Sequence, residues 1–460
     1  MPAFSSLKLS NDFLANLNSL NYKEMTEIQC ESIPKILAGE DIRAQAKTGS
    51  GKTAAFGIGL LVKLDPQNYL TQSLVLCPTR ELADQVGKEL RRLARAIGNI
   101  KISTLCGGTP IVPQYASLEH HPHIVVGTPG RILKHLQKNT LNLNNLTTLV
   151  LDEADRMLDM GFSDDILRII EGTPDSRQTL LFSATFPQQI NKISKTIQNS
   201  PIEIKVESLH DENKIKQIFY EIEKNTRTQT LILLLQHYAP QSSVIFCNRK
   251  QQCKDLAEEL WEQGFHAVAL HGDLEQKERD QKLVQFSNKS SSILIATDVA
   301  ARGLDIKDLQ AVINYELSND PEIHIHRIGR TGRAGNEGLA LSLFTPSETP
   351  KLNAIEDYQK NTVNTVSATT LNSPNNWDSQ QLKPPMNTIH IYAGRKNKIR
   401  AGDILGALTK NTSLSSKHIG KIDIFDTLSY VAVENKCTNQ ALTILSNGKI
   451  KGRQYRVRKI

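Results

Sequence analysis

Cysteine, aromatic residues and long apolar runs are all scarce in this chain, and each scarcity closes off a class of protein. The six cysteines (Cys30, Cys77, Cys106, Cys247, Cys253, Cys437) are scattered through 460 residues, and none belongs to a C-x-x-C pair. That spacing offers neither a disulfide framework nor a zinc ribbon, and it predicts buried, reduced thiols. No stretch approaches the roughly 20 apolar residues that a membrane-spanning helix needs. Met1-Pro2-Ala3-Phe4-Ser5-Ser6 lacks a basic segment followed by an apolar one. No secretory signal is therefore expected, and the cytoplasm is the expected compartment. An apolar content of 39% with 22% charged residues excludes collagen, mucin and wholesale disorder. At roughly 100–200 residues per domain, the length predicts two to four domains.

Charge is present, but unevenly. From Lys383 to Ile460 there are fifteen Lys or Arg against four Asp or Glu, a net +11, which leaves −4 for the rest of a +7 chain. A nearly neutral body with a basic tail points to a polyanion, nucleic acid first, although charge alone equally fits a solvated basic surface.

The body alternates compact apolar runs with amphipathic stretches. Ser73–Cys77, Ile124–Val126, Thr148–Leu151 and Thr179–Phe182 read as buried parallel strands, and Arg80–Ile97 as a helix between them. A second series follows at Ser243–Cys247, His266–Leu270, Ile293–Ala296, Ala311–Asn314 and Leu339–Phe344. Two successive α/β domains are predicted, over residues 1–206 and 215–362, with a polar hinge at 207–214. Residues 363–385, rich in Thr, Ser, Asn and Pro, read as a linker. Residues 386–460 read as an α+β unit of order βαββαβ, that of an RNA-recognition domain, with Ile389–Ala393 first and Gln454–Val457 as the closing strand.

Three clusters carry chemistry. Ala46-Lys47-Thr48-Gly49-Ser50-Gly51-Lys52-Thr53 is a P-loop variant with Ala46 in the usual first glycine position. Its small residues let backbone N–H groups curl around a phosphate at a helix N-terminus, with Lys52 reaching the β/γ-phosphates and Thr53 holding Mg²⁺. Asp152-Glu153-Ala154-Asp155 follows the apolar run Leu149-Val150-Leu151, at the strand end where α/β sheets bind ligands. Asp152 suits the Mg²⁺ shell and Glu153 a general base; taken alone, the cluster reads equally well as the acidic opening of a helix. His326-Arg327-Ile328-Gly329-Arg330-Thr331-Gly332-Arg333 is the third, a basic cluster late in the second domain.

Together these motifs, in this order, resemble the DEAD-box RNA helicase family, with matches from residue 4 to residue 333. The resemblance implies two tandem RecA-like parallel-sheet domains, ATP and Mg²⁺ as cofactors, and an RNA-stimulated ATPase that separates RNA strands locally. It places Phe4 and Gln29 in an adenine-recognising segment, which departs from the family pattern at Asn21 and Met25. It makes Arg330 and Arg333 arginine fingers, a role worth about 10³–10⁵ in rate, and puts Asp305 at the nucleotide. Pro78-Thr79-Arg80, Gly107-Gly108 and Thr128-Pro129-Gly130-Arg131 resemble RNA-backbone motifs, as do Asn248-Arg249 and Thr297 in the second domain. Thr hydroxyls, Arg and Gly amides at strand ends suit phosphate and sugar binding without base preference. Ser183-Ala184-Thr185, with Asp155 and His326, resembles the group that couples hydrolysis to strand separation.

In the tail, Gly402-Asp403-Ile404-Leu405-Gly406-Ala407-Leu408 and Asn447-Gly448-Lys449-Ile450-Lys451-Gly452 narrow the resemblance to a bacterial branch of that family. That branch implies action on a 23S rRNA hairpin in the large ribosomal subunit precursor, during assembly; the sequence carries no clear oligomer signal, and a monomer is the default. The third strand of the tail offers one aromatic residue and the first only His390 and Tyr392, so base stacking on the sheet should be weak. Specific contacts fall instead to two basic loops: Arg395, Lys396, Lys398 and Arg400 on one side, and Lys449, Lys451 and Arg453 on the other. An ATP-gated RNA clamp with incidental unwinding is the alternative. A DNA helicase is disfavoured by the resemblance and by the tail.

Overall fold

The computed structural model describes residues 2–46, 49–206, 215–301, 309–332, 337–371, 382–410 and 413–460. Two compact units emerge, one around the first sheet and one around the second sheet with the basic tail. All six cysteines are unpaired, and five of them are buried.

In the first unit the strands are β1 (Ile42–Gln45), β2 (Ser73–Leu76), β3 (Ile102–Leu105), β4 (Ile124–Gly127), β5 (Thr148–Asp152), β6 (Gln178–Ser183) and β7 (Ile202–Lys205). They form a parallel sheet in the order β3-β4-β2-β5-β6-β1-β7. Composition sets position. The strands β2, β4, β5 and β6 are buried at every residue, and their Leu/Val/Ile runs occupy the sheet centre with helices on both faces. In contrast, Ile202-Glu203-Ile204-Lys205 alternates and lies at an edge.

The second unit repeats the plan with β8 (Ile215–Glu221), β9 (Ser243–Phe246), β10 (Ala267–Leu270), β11 (Ile293–Ala296), β12 (Ala311–Asn314), β13 (Gly338–Phe344) and β14 (Asn364–Ser367), in the order β10-β11-β9-β12-β13-β8-β14. The strand β14 falls inside the stretch read as linker. Its mostly exposed Asn-Thr-Val-Ser gives no apolar run to detect, yet it pairs in parallel with β8 as an edge strand, and Leu371 and Leu382 join the same core. The hinge 207–214 lies outside the described residues.

The tail is a four-stranded antiparallel sheet of β15 (Met386–Ile391), β16 (Ile419–Ile424), β17 (Ser429–Glu434) and β18 (Val457–Lys459), ordered β16-β17-β15-β18. The helices Ala401–Thr409 and Thr438–Asn447 complete the βαββαβ order and pack on Ile389, Ile391, Val431 and Val433. The closing strand starts at Val457, three residues later than its expected start, because Ile450–Arg453 first makes a turn with Lys451 and Gly452 at positive φ.

Candidate functional site

Parallel pairing brings the chemistry to one edge of the first sheet. Register matches Asp152 with Phe182 and Gln45 with Ser183, so the ends of β5, β6 and β1 lie level and side by side. The P-loop leaves β1 at Ala46, whose N–H donates to Ser183 O (3.0 Å). Gly49 (φ 89°) and Gly51 (φ 98°) supply left-handed turns, and Gly51 opens the helix Lys52–Lys63. A Cβ on Gly51 would lie 2.5 Å from Gln29 Nε2. Gln29 is buried, accepts from Thr26 N (2.9 Å) and donates to Gly51 O (3.1 Å), so its amide is tied to the loop. Phe4 is 2% exposed and edge-on to Tyr22 at 5.9 Å, so stacking on a base would require uncovering a face.

Lys52 is buried and its Nζ donates to Ala46 O (2.6 Å). Asp152 is buried beside it, and Oδ1 has no hydrogen-bond partner among the described residues. Burial lifts its carboxyl well above the usual range, and the Lys52 charge opposes the shift. A buried, orphaned carboxylate oxygen is what a divalent cation satisfies, so the donor set fits Mg²⁺. Thr53 is half-buried one residue into the helix, and the Ser50 hydroxyl has no hydrogen-bond partner among the described residues. Lys47 and Thr48 lie outside the described residues.

Glu153 takes φ 51° and ψ 53°, a costly left-handed conformation for a side chain of its size, at the turn from β5 into the helix Ala154–Asp159. Arg156, one helical turn on, pairs with it at 2.6 Å, both groups buried. In the sequence, Arg156 carries no signature beyond its i,i+3 spacing from Glu153. Asp155 N donates to Ser183 Oγ (3.2 Å), while Asp155 Oδ2 accepts from Ala184 N and Thr185 N (3.1 Å each) and Thr185 Oγ1 (3.3 Å). Ser183, Thr185 and Asp155 therefore form one network next to Glu153.

The other half of the same edge, at β3, β4 and β2, carries the proposed RNA residues. Pro78 and Thr79 follow β2, and Thr79 Oγ1 caps the helix Arg80–Leu93. Gly107 N donates to Thr128 Oγ1 (3.4 Å), Gly108 has φ 71°, and Arg131 Nη2 donates to Thr109 O (2.9 Å). These groups cluster where three strands end, and Arg80 and Arg131 are half-buried beside them.

In the second unit, Asn248 and Arg249 follow β9 and are exposed, and Thr297 follows β11. The residue that organises this edge is Arg327, 1% exposed and assigned no role from sequence. It reaches Asp298 Oδ1 (2.6 Å) and Oδ2 (2.7 Å), Asn248 Oδ1 (2.8 Å), Asn314 Oδ1 (3.2 Å) and Glu316 O (2.8 Å), with Phe246 5.2 Å below. His326 lies 3.8 Å from Glu322, and Arg330 is buried. Asp305 and Arg333 lie outside the described residues.

In the tail, the seven basic loop residues Arg395, Lys396, Lys398, Arg400, Lys449, Lys451 and Arg453 are all exposed. The two loops expected on separate sides adjoin: Lys451 Nζ donates to Lys398 O (2.9 Å), making one basic patch. The sheet face opposite the tail core is itself covered. Thr388, His390, Tyr430 and Ala432 point away from that core yet are at most 1% exposed. The helix Gln276–Ser287 and the turn after it cover them: Ser290 Oγ meets Thr388 Oγ1 at 2.7 Å, Met386 N donates to Lys289 O (3.3 Å) and Lys421 Nζ to Ser287 Oγ (3.1 Å). The face on which RNA-recognition domains commonly stack bases is therefore largely occupied by the protein itself.

The DEAD/DEAH box helicase description matches residues 26–193, the helicase conserved C-terminal domain residues 223–335, and the DbpA RNA binding domain residues 388–459. The chain is 52% identical over 459 residues to the ATP-dependent RNA helicase DbpA of Escherichia coli K12, covering all of this chain and 99% of that protein. It is 42% identical over 369 residues to the DEAD-box ATP-dependent RNA helicase CshA of Bacillus subtilis 168, covering 80% of this chain and 74% of that one. Among solved structures, S. cerevisiae Dbp5 bound to RNA and ADP BeF3 is similar with a TM-score of 0.73 at 29% identity, covering 83% of this chain and 98% of that one.

Proposed function

The chain belongs to the DEAD-box family of ATP-dependent RNA helicases, and we propose that it remodels 23S rRNA locally while the large ribosomal subunit is assembled in the cytoplasm, acting as a monomer. The observation that carries this reading is the extent of the likeness to DbpA, which runs through the tail to residue 459. The exposed +11 tail, with its single patch built from two loops, supports a structured RNA as the thing it holds.

Chemically, Lys52 and the P-loop amides bind the phosphates of ATP, with Gln29 fixing the loop and Phe4 nearby for the base. Thr53 and Asp152 would hold Mg²⁺, which would supply neutralisation of charge on the transferring phosphoryl group. Glu153, fixed by Arg156, takes the proton of the attacking water. Arg330 and Arg333 are assigned the stabilisation of γ-phosphoryl charge, and Asp305 a nucleotide contact. Asp155 senses the nucleotide state through Ser183 and Thr185, and His326 acts on the same coupling. Pro78, Thr79, Arg80, Gly108, Thr128, Arg131, Asn248, Arg249 and Thr297 grip the RNA backbone.

The test is ATPase activity with large-subunit rRNA fragments against random RNA of equal length. Preferential stimulation is expected, and it should disappear when residues after Pro385 are removed while generic stimulation remains. Equal stimulation by both RNAs would refute the rRNA assignment.

A further inference from the structure

Two segments assigned to the RNA backbone, residues 107–109 after β3 and 128–131 after β4, leave neighbouring strands whose ends are level, Leu105 opposite Gly127. The first of them is soft by composition. Gly107 and Gly108 have no side chain to pack, and Gly108 takes φ 71°. A grip on a sugar–phosphate strand needs this turn held still before RNA arrives. What holds it lies behind the turn, in the protein interior.

Gln114, on the helix Val112–Leu118, is buried. Its Nε2 donates to Cys106 O (3.1 Å) and to Thr109 Oγ1 (2.8 Å), on either side of the two glycines. Thr109 Oγ1 donates in turn to Cys106 O (3.0 Å). Both amide protons are then in use, so Oε1 is left to accept, and it meets His135 Nε2 at 3.0 Å. Turning the amide over would set its oxygen against Cys106 O, two acceptors with no proton between them. His135 Nε2 therefore carries the proton, and Nδ1 accepts from Thr140 Oγ1, 2.9 Å away. Burial and then the Arg131 charge push the imidazole down to about 4, so the ring is neutral near pH 7. It is fully buried and edge-on to Tyr115 at 5.6 Å.

His135 stands one helical turn after Arg131 on the helix Pro129–Gln137, so the two side chains share a face. Arg131 Nη2 holds Thr109 O directly (2.9 Å), and His135 holds both sides of the glycine turn through Gln114. These two links join the segments at 107–109 and 128–131. We propose that Gln114 and His135 are positioning residues for RNA: a relay from His135 through Gln114 to the glycine turn sets the spacing of the two segments, and with it the affinity for a sugar–phosphate strand lying across both. Both side chains are buried and act on the strand only through the turn. The proposal rests on the assignment of these segments to RNA above and deepens it. With the relay cut, RNA itself must order the turn, and that entropy is lost from binding.

The experiment uses the full chain and a fluorescently labelled single-stranded RNA of random sequence. Affinity is read by anisotropy with a non-hydrolysable ATP analogue, and ATPase rates are read against RNA concentration. Gln114→Leu keeps the volume and removes every polar contact of the relay. RNA affinity should fall about tenfold, the worth of one or two net hydrogen bonds. Basal ATPase without RNA, KM for ATP and turnover at saturating RNA should stay at wild-type values. His135→Phe keeps a ring against Tyr115 but strands Gln114 Oε1, and should lose a similar factor. His135→Gln, whose amide N–H can stand where Nε2–H stood, should recover most of it. The double variant Gln114→Leu/His135→Phe should be no weaker than Gln114→Leu, because one relay is cut once. Unchanged RNA affinity in Gln114→Leu and His135→Phe overturns the proposal, as do losses that add in the double variant or a loss confined to turnover at saturating RNA. Should Gln114→Leu fail to fold, the two His135 variants decide, and equal affinities for Phe and Gln overturn the relay. Because rRNA preference is not measured, failure of the assembly role leaves this result standing.

Discussion

Arg327→Met tests the reasoning about the second unit most directly. The guanidinium makes five hydrogen bonds from a site 1% exposed, two of them to Asp298. It ties together the ends of three strands: Asn248 after β9, Asp298 after β11, and Asn314 with Glu316 at the end of β12. Methionine matches much of its length but offers no donor. Breaking a buried ion pair by removing one partner costs about 3–5 kcal/mol, because the other charge is left uncompensated. Asp298 is 20% exposed in its side chain and can recover water, which moves the expectation toward the lower end. Asn314 is fully buried, however, and its Oδ1 would be stranded, a further cost of about 1–3 kcal/mol. These losses share one site and do not add, so about 3–5 kcal/mol is the expected total.

The assay is urea unfolding of the full chain followed by circular dichroism, reading the transition of the second unit, with RNA affinity measured in parallel. Asn248 loses the donor that fixes its side-chain oxygen, so RNA binding should weaken even where the variant is folded. Arg327→Met combined with Asp298→Leu removes both charges and should be less destabilised than Arg327→Met alone. A single variant within about 1 kcal/mol of wild type, or a double variant that loses more than the single, would refute the argument that a buried charge pair organises this edge.

Glu153→Gln should lower RNA-stimulated ATPase by about 10²–10⁴ while leaving RNA binding intact, and undiminished turnover would remove Glu153 from the mechanism. Ser183→Ala with Thr185→Ala removes two of the contacts to Asp155 and should reduce duplex separation more than ATP hydrolysis; equal losses in parallel assays would rule out a coupling role. Gly51→Ala forces a side chain to φ 98° and a Cβ against Gln29, so a loss of about 1–2 kcal/mol and weaker ATP-analogue binding by calorimetry are expected. His390 is pushed down to about 4 by burial and then by Arg458 and Lys277. The unfolded imidazole titrates near 6.5, so its contribution is intact above about pH 6.5 and fades as pH falls toward about 4. His390→Gln should flatten that acid limb in urea midpoints measured across pH, and an unaltered limb would show that another group is responsible.

What the sequence disclosed depended on how each contact is encoded. Central strands such as Leu74-Val75-Leu76 are apolar at every residue because both faces are covered, and a run of that kind is visible without a structure. Strand β14 is invisible for the opposite reason: as an edge it needs one partner and little burial, and Asn-Thr-Val-Ser satisfies that while reading as a loop. The P-loop and the Asp152–Asp155 cluster were legible because phosphate and metal chemistry demand particular residue types at fixed spacing. Arg156 and Arg327 were not, because a buried arginine looks like any other until the fold shows what it faces.

The tail sharpens the same distinction. Its +11 charge announced a polyanion, and its poverty in aromatics argued against a stacking sheet. Neither could show that the sheet face is covered, because covering is a property of two surfaces far apart in sequence. Thr388 and Ser290 meet through a hydroxyl contact that no local pattern records. The consequence is mechanical. A tail joined only by a flexible linker would raise the local concentration of RNA without orienting it. This tail instead packs its sheet on the helix Gln276–Ser287 and the turn after it, through Thr388–Ser290 and Lys421–Ser287. The tail and the second sheet thus form one compact unit, with the Lys398–Lys451 patch and the strand-end residues Asn248 and Thr297 on the same unit.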